Sequence, residues 1–365
     1  MKLMNLRRYV SMTAVAAGVL VAAMPVSAEP QWQMHRTLLD SPMLDAAFPD
    51  ENTVLVANQN GLVTLNTDAE VLKRQGIDST VSYPILAENG SYAVVHHRRR
   101  VPQFSESITL YSVAGETGAT FPISGSPYLA PNGDWLLTVD KYNNRVSIYN
   151  AQGQKLREDT YPEIRDYGMK FSADGKHVAL NLPQNGVDAI AVVYDNIGQL
   201  QTKVRHILGQ AQPGLTPNGD TLVIIARAAV TIYDETGTEK LRIQRGRNAG
   251  VGMLTRDGEE LWLAENGGAV AVNITDGDSR SAFFGDEEPI IYICGNCVTS
   301  TMLFGINKKS GENLNAWTWI GIARDSMREI WRSQKITHKG CNAAVGSTTI
   351  VIGETEIEIW SLSRG

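Results

Sequence analysis

Ala130-Pro131-Asn132-Gly133-Asp134-Trp135-Leu136-Leu137-Thr138 is the stretch that decides the fold. A tight Pro-Asn-Gly-Asp turn opens directly onto an apolar run, and the turn returns along the chain at intervals of about forty residues. It stands again at Ala173-Asp174-Gly175-Lys176, Pro217-Asn218-Gly219-Asp220 and Arg256-Asp257-Gly258-Glu259. Weaker copies stand at Pro49-Asp50-Glu51-Asn52 and Glu88-Asn89-Gly90-Ser91. Asn-Gly and Asp-Gly suit tight hairpin turns because they tolerate positive φ. Each turn leads into a short apolar run and then a second apolar strand that ends in Tyr-Asp or a similar turn. A period of that size, made of strands and turns, predicts a β-propeller with one blade per repeat.

Outward from these markers, Arg145-Val146-Ser147-Ile148-Tyr149 and Glu356-Ile357-Glu358-Ile359-Trp360 alternate with period two and carry β-branched and aromatic residues, as strands do. No window shows a sustained helical stripe. The register counts eight units, the eighth with three strands before the chain ends, and a spare strand stands at Gln31 to Leu39 ahead of the first turn. The fold class expected is therefore all-β: a β-propeller of eight four-stranded blades, seven being the alternative. The N-terminal strand would close the ring and cover an open sheet edge.

Lys2, Arg7 and Arg8 precede an apolar stretch from Tyr9 to Met24, and Val26-Ser27-Ala28 offers a small-x-small cleavage end. This reads as a cleaved secretory signal peptide over residues 1–28, leaving 29–365 as a single propeller domain and placing the protein in the periplasm or outside the cell. With those three cations gone, 33 Lys and Arg become 30 against 39 Asp and Glu, a net charge of −9. That balance argues against nucleic acid as a partner. No stretch after Ala28 is apolar for the length a membrane helix needs, so no transmembrane segment is expected in the mature chain.

The run around Trp135, and its echo Thr216-Pro217-Asn218-Gly219-Asp220-Thr221-Leu222-Val223, resembles the repeats of secreted bacterial WD-repeat-like propellers, including the YVTN type and the propeller of the Tol translocation system. Tyr149-Asn150-Ala151-Gln152-Gly153, Tyr194-Asp195-Asn196-Ile197-Gly198 and Tyr233-Asp234-Glu235-Thr236-Gly237 fit the same repeat. The resemblance implies a blade and no particular activity. Quinone-cofactor dehydrogenases use a related eight-bladed ring, but the regularly placed Trp of their repeats is missing here.

Three groups of residues stand out chemically. Cys294-Gly295-Asn296-Cys297 is followed after forty residues by His338-Lys339-Gly340-Cys341, the spacing of a four-ligand zinc site. In an oxidising compartment the same cysteines also suit a disulfide, either Cys294 with Cys341 or Cys294 with Cys297, and unpaired thiols remain a third reading. His96, His97, Arg98, Arg99 and Arg100 read as an exposed loop that could dock an anionic partner. Trp317, Trp319 and Trp331 read as blade packing, with a ligand-stacking platform as the alternative.

His35, His177 and His206 lie in strand contexts without a Ser or Asp partner, Asp140 and Asp286 to Glu288 could line one face, and no nucleophile elbow or phosphate-binding Gly-rich loop occurs. The sequence thus favours a non-catalytic scaffold for a protein partner or small ligand, without a cofactor unless zinc. A lactonase-like hydrolase or lyase, or a metal- or cofactor-handling protein built on the Cys/His cluster, is the alternative.

Overall fold

The structure, a computed structural model, describes residues 32–76, 82–99, 104–164, 167–184, 188–207, 211–245, 251–265, 268–283, 290–293, 301–307, 317–332, 344–345, 349–353 and 355–362. No helix occurs among them. The strands pair into four-stranded antiparallel sheets, eight among the described residues. In chain order they span 43–76, 82–123, 126–160, 168–206, 212–244, 252–283 and 290–332, here called sheets one to seven. Sheet eight joins Ala344–Val345, Thr349–Gly353 and Glu356–Leu362 to Trp32–Leu38 from the other end of the chain. That last pairing is antiparallel and unbroken from Trp32 opposite Leu362 to Leu38 opposite Glu356. The all-β, propeller-like architecture expected from the repeat is what the chain adopts.

The burial pattern shows why middle strands read as continuous apolar runs. Trp135–Asp140 and Ala229–Tyr233 are buried at every position, whereas the fourth strand Glu239–Gln244 alternates exposed with half-buried residues. Successive residues of a strand point to opposite faces, so a strand buried throughout must be covered on both. Leu136 packs with Ala93, Val95 and Ile108 of sheet two. Its neighbours Trp135 and Leu137 pack with Val178 and Leu180 of sheet four. Further clusters join sheets one and two, four and five, five and six, and sheet one with Ile357 and Ile359 of sheet eight. Each of sheets one to five is thereby a filling between two others, and each fully buried Leu or Ile contributes roughly 1.5–3 kcal/mol.

The recurring turn does more than reverse the chain. Gly133, Gly175, Gly219 and Gly258 each donate their N–H to the carbonyl three residues earlier, at 2.8 to 3.0 Å. All four have positive φ, between 69° and 78°. A Cβ on Gly175 would lie 2.8 Å from Asn132 of the preceding turn, and one on Gly133 would lie 2.6 Å from Ser91. The glycine is needed both for its conformation and for the close stacking of one turn on the last.

Candidate functional site

The first strands of sheets one to six converge on a cavity of about 510 Å³. The register places Asp45, Met169, Pro213 and Gly252 at one level of its wall, opposite Ala57, Leu180, Ile224 and Leu263 of their own second strands. Two residues further along each strand come Ala47, Phe171, Leu215 and Leu254. The wall is thus apolar apart from a few side chains, and Asp45 is the carboxylate at a level otherwise made of Met, Pro and Gly.

Asp45 stands next to a shift in the pairing of its strand with Thr53–Asn58. Such an irregularity re-aims the side chains beside it. Its Oδ1 accepts the Ala46 N–H at 2.9 Å. Burial pushes the carboxyl up to about 6, against the opposing pull of backbone hydrogen bonds from Ala46 and Leu86. Glu88 and Arg256 occupy the same place in their turns, on sheets two and six, and meet as an ion pair at 2.7 Å. Lys170 completes the charged lining. Asp45, Glu88 and Arg256 were not singled out from the sequence. The available signal was a charge at a repeat position that carries Pro, Met, Gly or Ala in the other copies.

Two arginines tie sheet six to its neighbours. Arg245, its side chain 1% exposed, reaches Glu265 at 2.8 Å and the carbonyl oxygens of Ala226 and Ala264 at 3.0 and 3.3 Å. From sheet seven, Arg324 reaches Asp257, Glu259 at 3.2 Å and Glu260 at 2.7 Å. These contacts hold sheets together and leave little charge for a ligand.

The residues chosen from the sequence fare differently. Cys294, Cys297, His338 and Cys341 lie outside the described residues, as do Arg100, Asp286, Glu287 and Glu288. The expected basic loop requires correction. His96, His97, Arg98 and Arg99 belong to the strand Tyr92–Arg99, where Arg98 pairs with Ser105 and Arg99 with Phe104. The reason is that Phe104–Tyr111 is a full eight-residue partner, so the ladder continues past the point where the apolar pattern stops. Trp317 and Trp319 belong to the strand Trp317–Ala323, and Trp331 pairs with Gly321 of that strand. Trp319 is 1% exposed, as packing requires.

His206 is buried against Asn181 at 2.8 Å, and burial pulls its imidazole down to about 4, so it is neutral at pH 7. His35 lies 3.5 Å from Asp68. Asp140 is buried and accepts the Tyr142 and Asn143 N–H groups at 3.0 Å, organising its own turn. Burial pushes its carboxyl up, but the Asn143 and Ser124 hydrogen bonds outweigh it and hold the group below its ordinary value.

Solved structures of similar shape are propellers. The C-terminal WD40 domain of Sif2 aligns with a TM-score of 0.61 at 10% identity, covering 90% of this chain and 97% of that one. The computationally designed Ika8 protein aligns at 0.60 and 12% identity, over 89% of this chain and 98% of that one. A eukaryotic initiation factor aligns at 0.56 and 11% identity, over 87% and 82%. At such identities the likeness shows the fold. No protein-family model matches the sequence, and comparison with curated proteins finds no match.

Proposed function

We propose that the chain is an exported β-propeller, a ring of eight blades that serves as a non-catalytic scaffold binding a protein partner or a small ligand. The observation that carries the reading is the shared cavity, framed by the first strands of six sheets and lined mainly by backbone and apolar side chains. A pocket of this kind offers shape and a few polar anchors, which is what binding needs. WD40 propellers commonly bind protein partners, and the fold likeness lends that reading support. The pairing of Trp32–Leu38 with Glu356–Leu362 supports closure of the ring by the N-terminal strand, since it joins the two ends of the chain in one sheet. The cationic start, apolar stretch and Val26-Ser27-Ala28 support export to the periplasm or beyond.

The test is a capture experiment with the mature chain, 29–365, carried out on the exported fraction of a producing cell. A partner retained by the wild type, in stoichiometric amount and released by excess untagged chain, is the expected result. Turnover of a hydrolase or lyase substrate panel without any retained partner or ligand would overturn the scaffold reading. Mass spectrometry of the exported protein is expected to find Glu29 as its first residue.

A further inference from the structure

We propose that the cavity is a binding site for a small organic ammonium ion, a protonated amine on a compact apolar body, with the Asp45 carboxylate as its counter-ion. The proposal rests on the binding reading above and names the ligand class for it.

Space comes first. About 510 Å³ lies within the range of small-molecule pockets, roughly 300–1,000 Å³. The walls come second. Met169, Pro213 and Gly252 at the level of Asp45, with Phe171, Leu215 and Leu254 beside them, offer surface to an apolar body and few groups to a polar one. Charge comes third. Glu88 and Arg256 neutralise each other at 2.7 Å. Lys170, the other cation of the lining, makes no ion pair with Asp45, whose hydrogen-bond donors are the Ala46 and Leu86 backbone N–H groups. The carboxylate is therefore half-buried among largely apolar walls, and no cation pairs with it among the described residues. A charge taken from water in that way is costly unless a partner is supplied.

An ammonium group brings three donors and the missing charge, and the carboxylate has unused lone pairs to accept them. A bare divalent cation fits poorly, because calcium takes six to eight oxygen ligands and one carboxylate on an apolar wall falls well short. An anionic ligand would be repelled by the Asp45 carboxylate at that level of the wall. The same burial that isolates Asp45 couples binding to acidity: the group titrates at about 6, so protons compete with the amine below that value. Glu88, Arg256 and Lys170 are the other titratable groups of the lining among the described residues, and Glu88 and Arg256 pair with each other.

The experiment is isothermal titration of the mature chain at pH 7.5 with benzylammonium and n-butylammonium, against benzyl alcohol and benzoate as neutral and anionic isosteres. One ammonium ion per chain is expected, bound at least about tenfold more tightly than the alcohol, as a charge-assisted hydrogen bond allows. Asp45→Asn keeps the side-chain volume and is expected to erase that preference. So is pH 5 on the wild-type chain, an arm that needs no variant to fold. Equal binding of the isosteres, a preference for benzoate, or an ammonium preference that survives both Asp45→Asn and pH 5 overturns the proposal. Should neither amine bind while the mature chain still retains a protein partner, the amine site falls and the scaffold reading stands.

Discussion

The seam between sheets three and four and the two seams of sheet six hold neighbouring sheets together by opposite means. In the first, Trp135 stands edge-on to Phe171, ring centroids 5.2 Å apart, and its indole N–H donates to the Gly175 carbonyl at 2.5 Å. Around it lie Leu137, Ile148, Val178 and Leu180, none more than 1% exposed. Along the same seam the Tyr161 and Tyr194 hydroxyls meet, and Tyr194 donates to Asp159 at 2.5 Å. In the second, the Arg245 guanidinium adds an ion pair to the apolar cluster between sheets five and six, and Arg324 ties sheet six to sheet seven through three carboxylates. The apolar seam depends on shape, so its strength should be indifferent to salt. The charged seams depend on pairing, so they should weaken when either partner is screened or neutralised.

Trp135→Ala should do the most damage, removing the largest side chain of its seam and leaving a cavity beside Phe171. A loss of about 3–5 kcal/mol is expected by urea titration, equal at low and high salt. Arg245→Ala should come close, because it strands Glu265 and two carbonyls in a largely buried place, at about 3 kcal/mol. Arg324→Ala takes the shared cation from Asp257 and Glu259 and leaves Glu260 with Arg280. We expect about 2 kcal/mol at low salt, shrinking as salt is added, and only partial rescue by Arg324→Lys, which lacks the planar fork. An Arg324→Ala loss that ignores salt would erase the distinction between the seams.

Acid should act on the same place. Burial pushes Asp257 up, but the Arg324 and Thr255 hydrogen bonds hold it below its usual value of 3.8. A carboxyl depressed in the folded state contributes stability above its unfolded value, and that contribution disappears as pH falls through the folded one. The wild-type and Arg324→Ala stabilities should therefore converge below about pH 4. Asp159 is depressed as well, by Arg157 and Tyr194 working against its burial, so acid also touches the aromatic seam. Of acid and alkali, alkali is the one that separates the two seams.

Gly175→Ala should cost about 1–2 kcal/mol, from its positive φ and the approach to Asn132, with the same outcome expected at Gly133. Tyr194→Phe is the smallest, at about 1 kcal/mol near neutral pH. Its signature lies higher. Burial pushes Tyr161 up to about 12, while an unfolded tyrosine gives up its proton near 10. The unfolded state releases that proton first, so stability falls as pH rises through this window. Tyr194→Phe should change the alkaline slope, and Arg324→Ala should leave it alone. Both are read from urea midpoints at pH 9 to 11.

The turn glycines explain how much could be read in advance. An Asn-Gly pair ahead of an apolar run is a local signal, and the structure puts positive φ at Gly90, Gly133, Gly175, Gly219 and Gly258, where the repeat places them. Trp319 was likewise legible as packing, because a large ring in a β-branched strand has few other fates. Local signals stop at partners distant in sequence. The strand Tyr92–Arg99 runs through four basic or titratable residues that looked like a loop, because its length is set by Phe104–Tyr111 opposite. Arg324 carried no signal, since its carboxylates lie more than sixty residues away in the chain. Asp45 was passed over because one Asp ahead of two Ala residues looks like any exposed strand residue until six first strands are seen to share a cavity.

By itself, the sequence determined the all-β class, the period, the turn chemistry and the presence of a spare strand at the N-terminus, since each depends on residues within one repeat. Tertiary structure decided which charges stand together: Glu88 with Arg256, Arg324 with the Asp257 turn, and Asp45 beside Met169, Pro213 and Gly252 on the cavity wall. The physical reason is that φ preference and side-chain alternation are properties of neighbours in the chain. Burial and ion pairing are properties of neighbours in space, which appear only when the sheets are packed against one another.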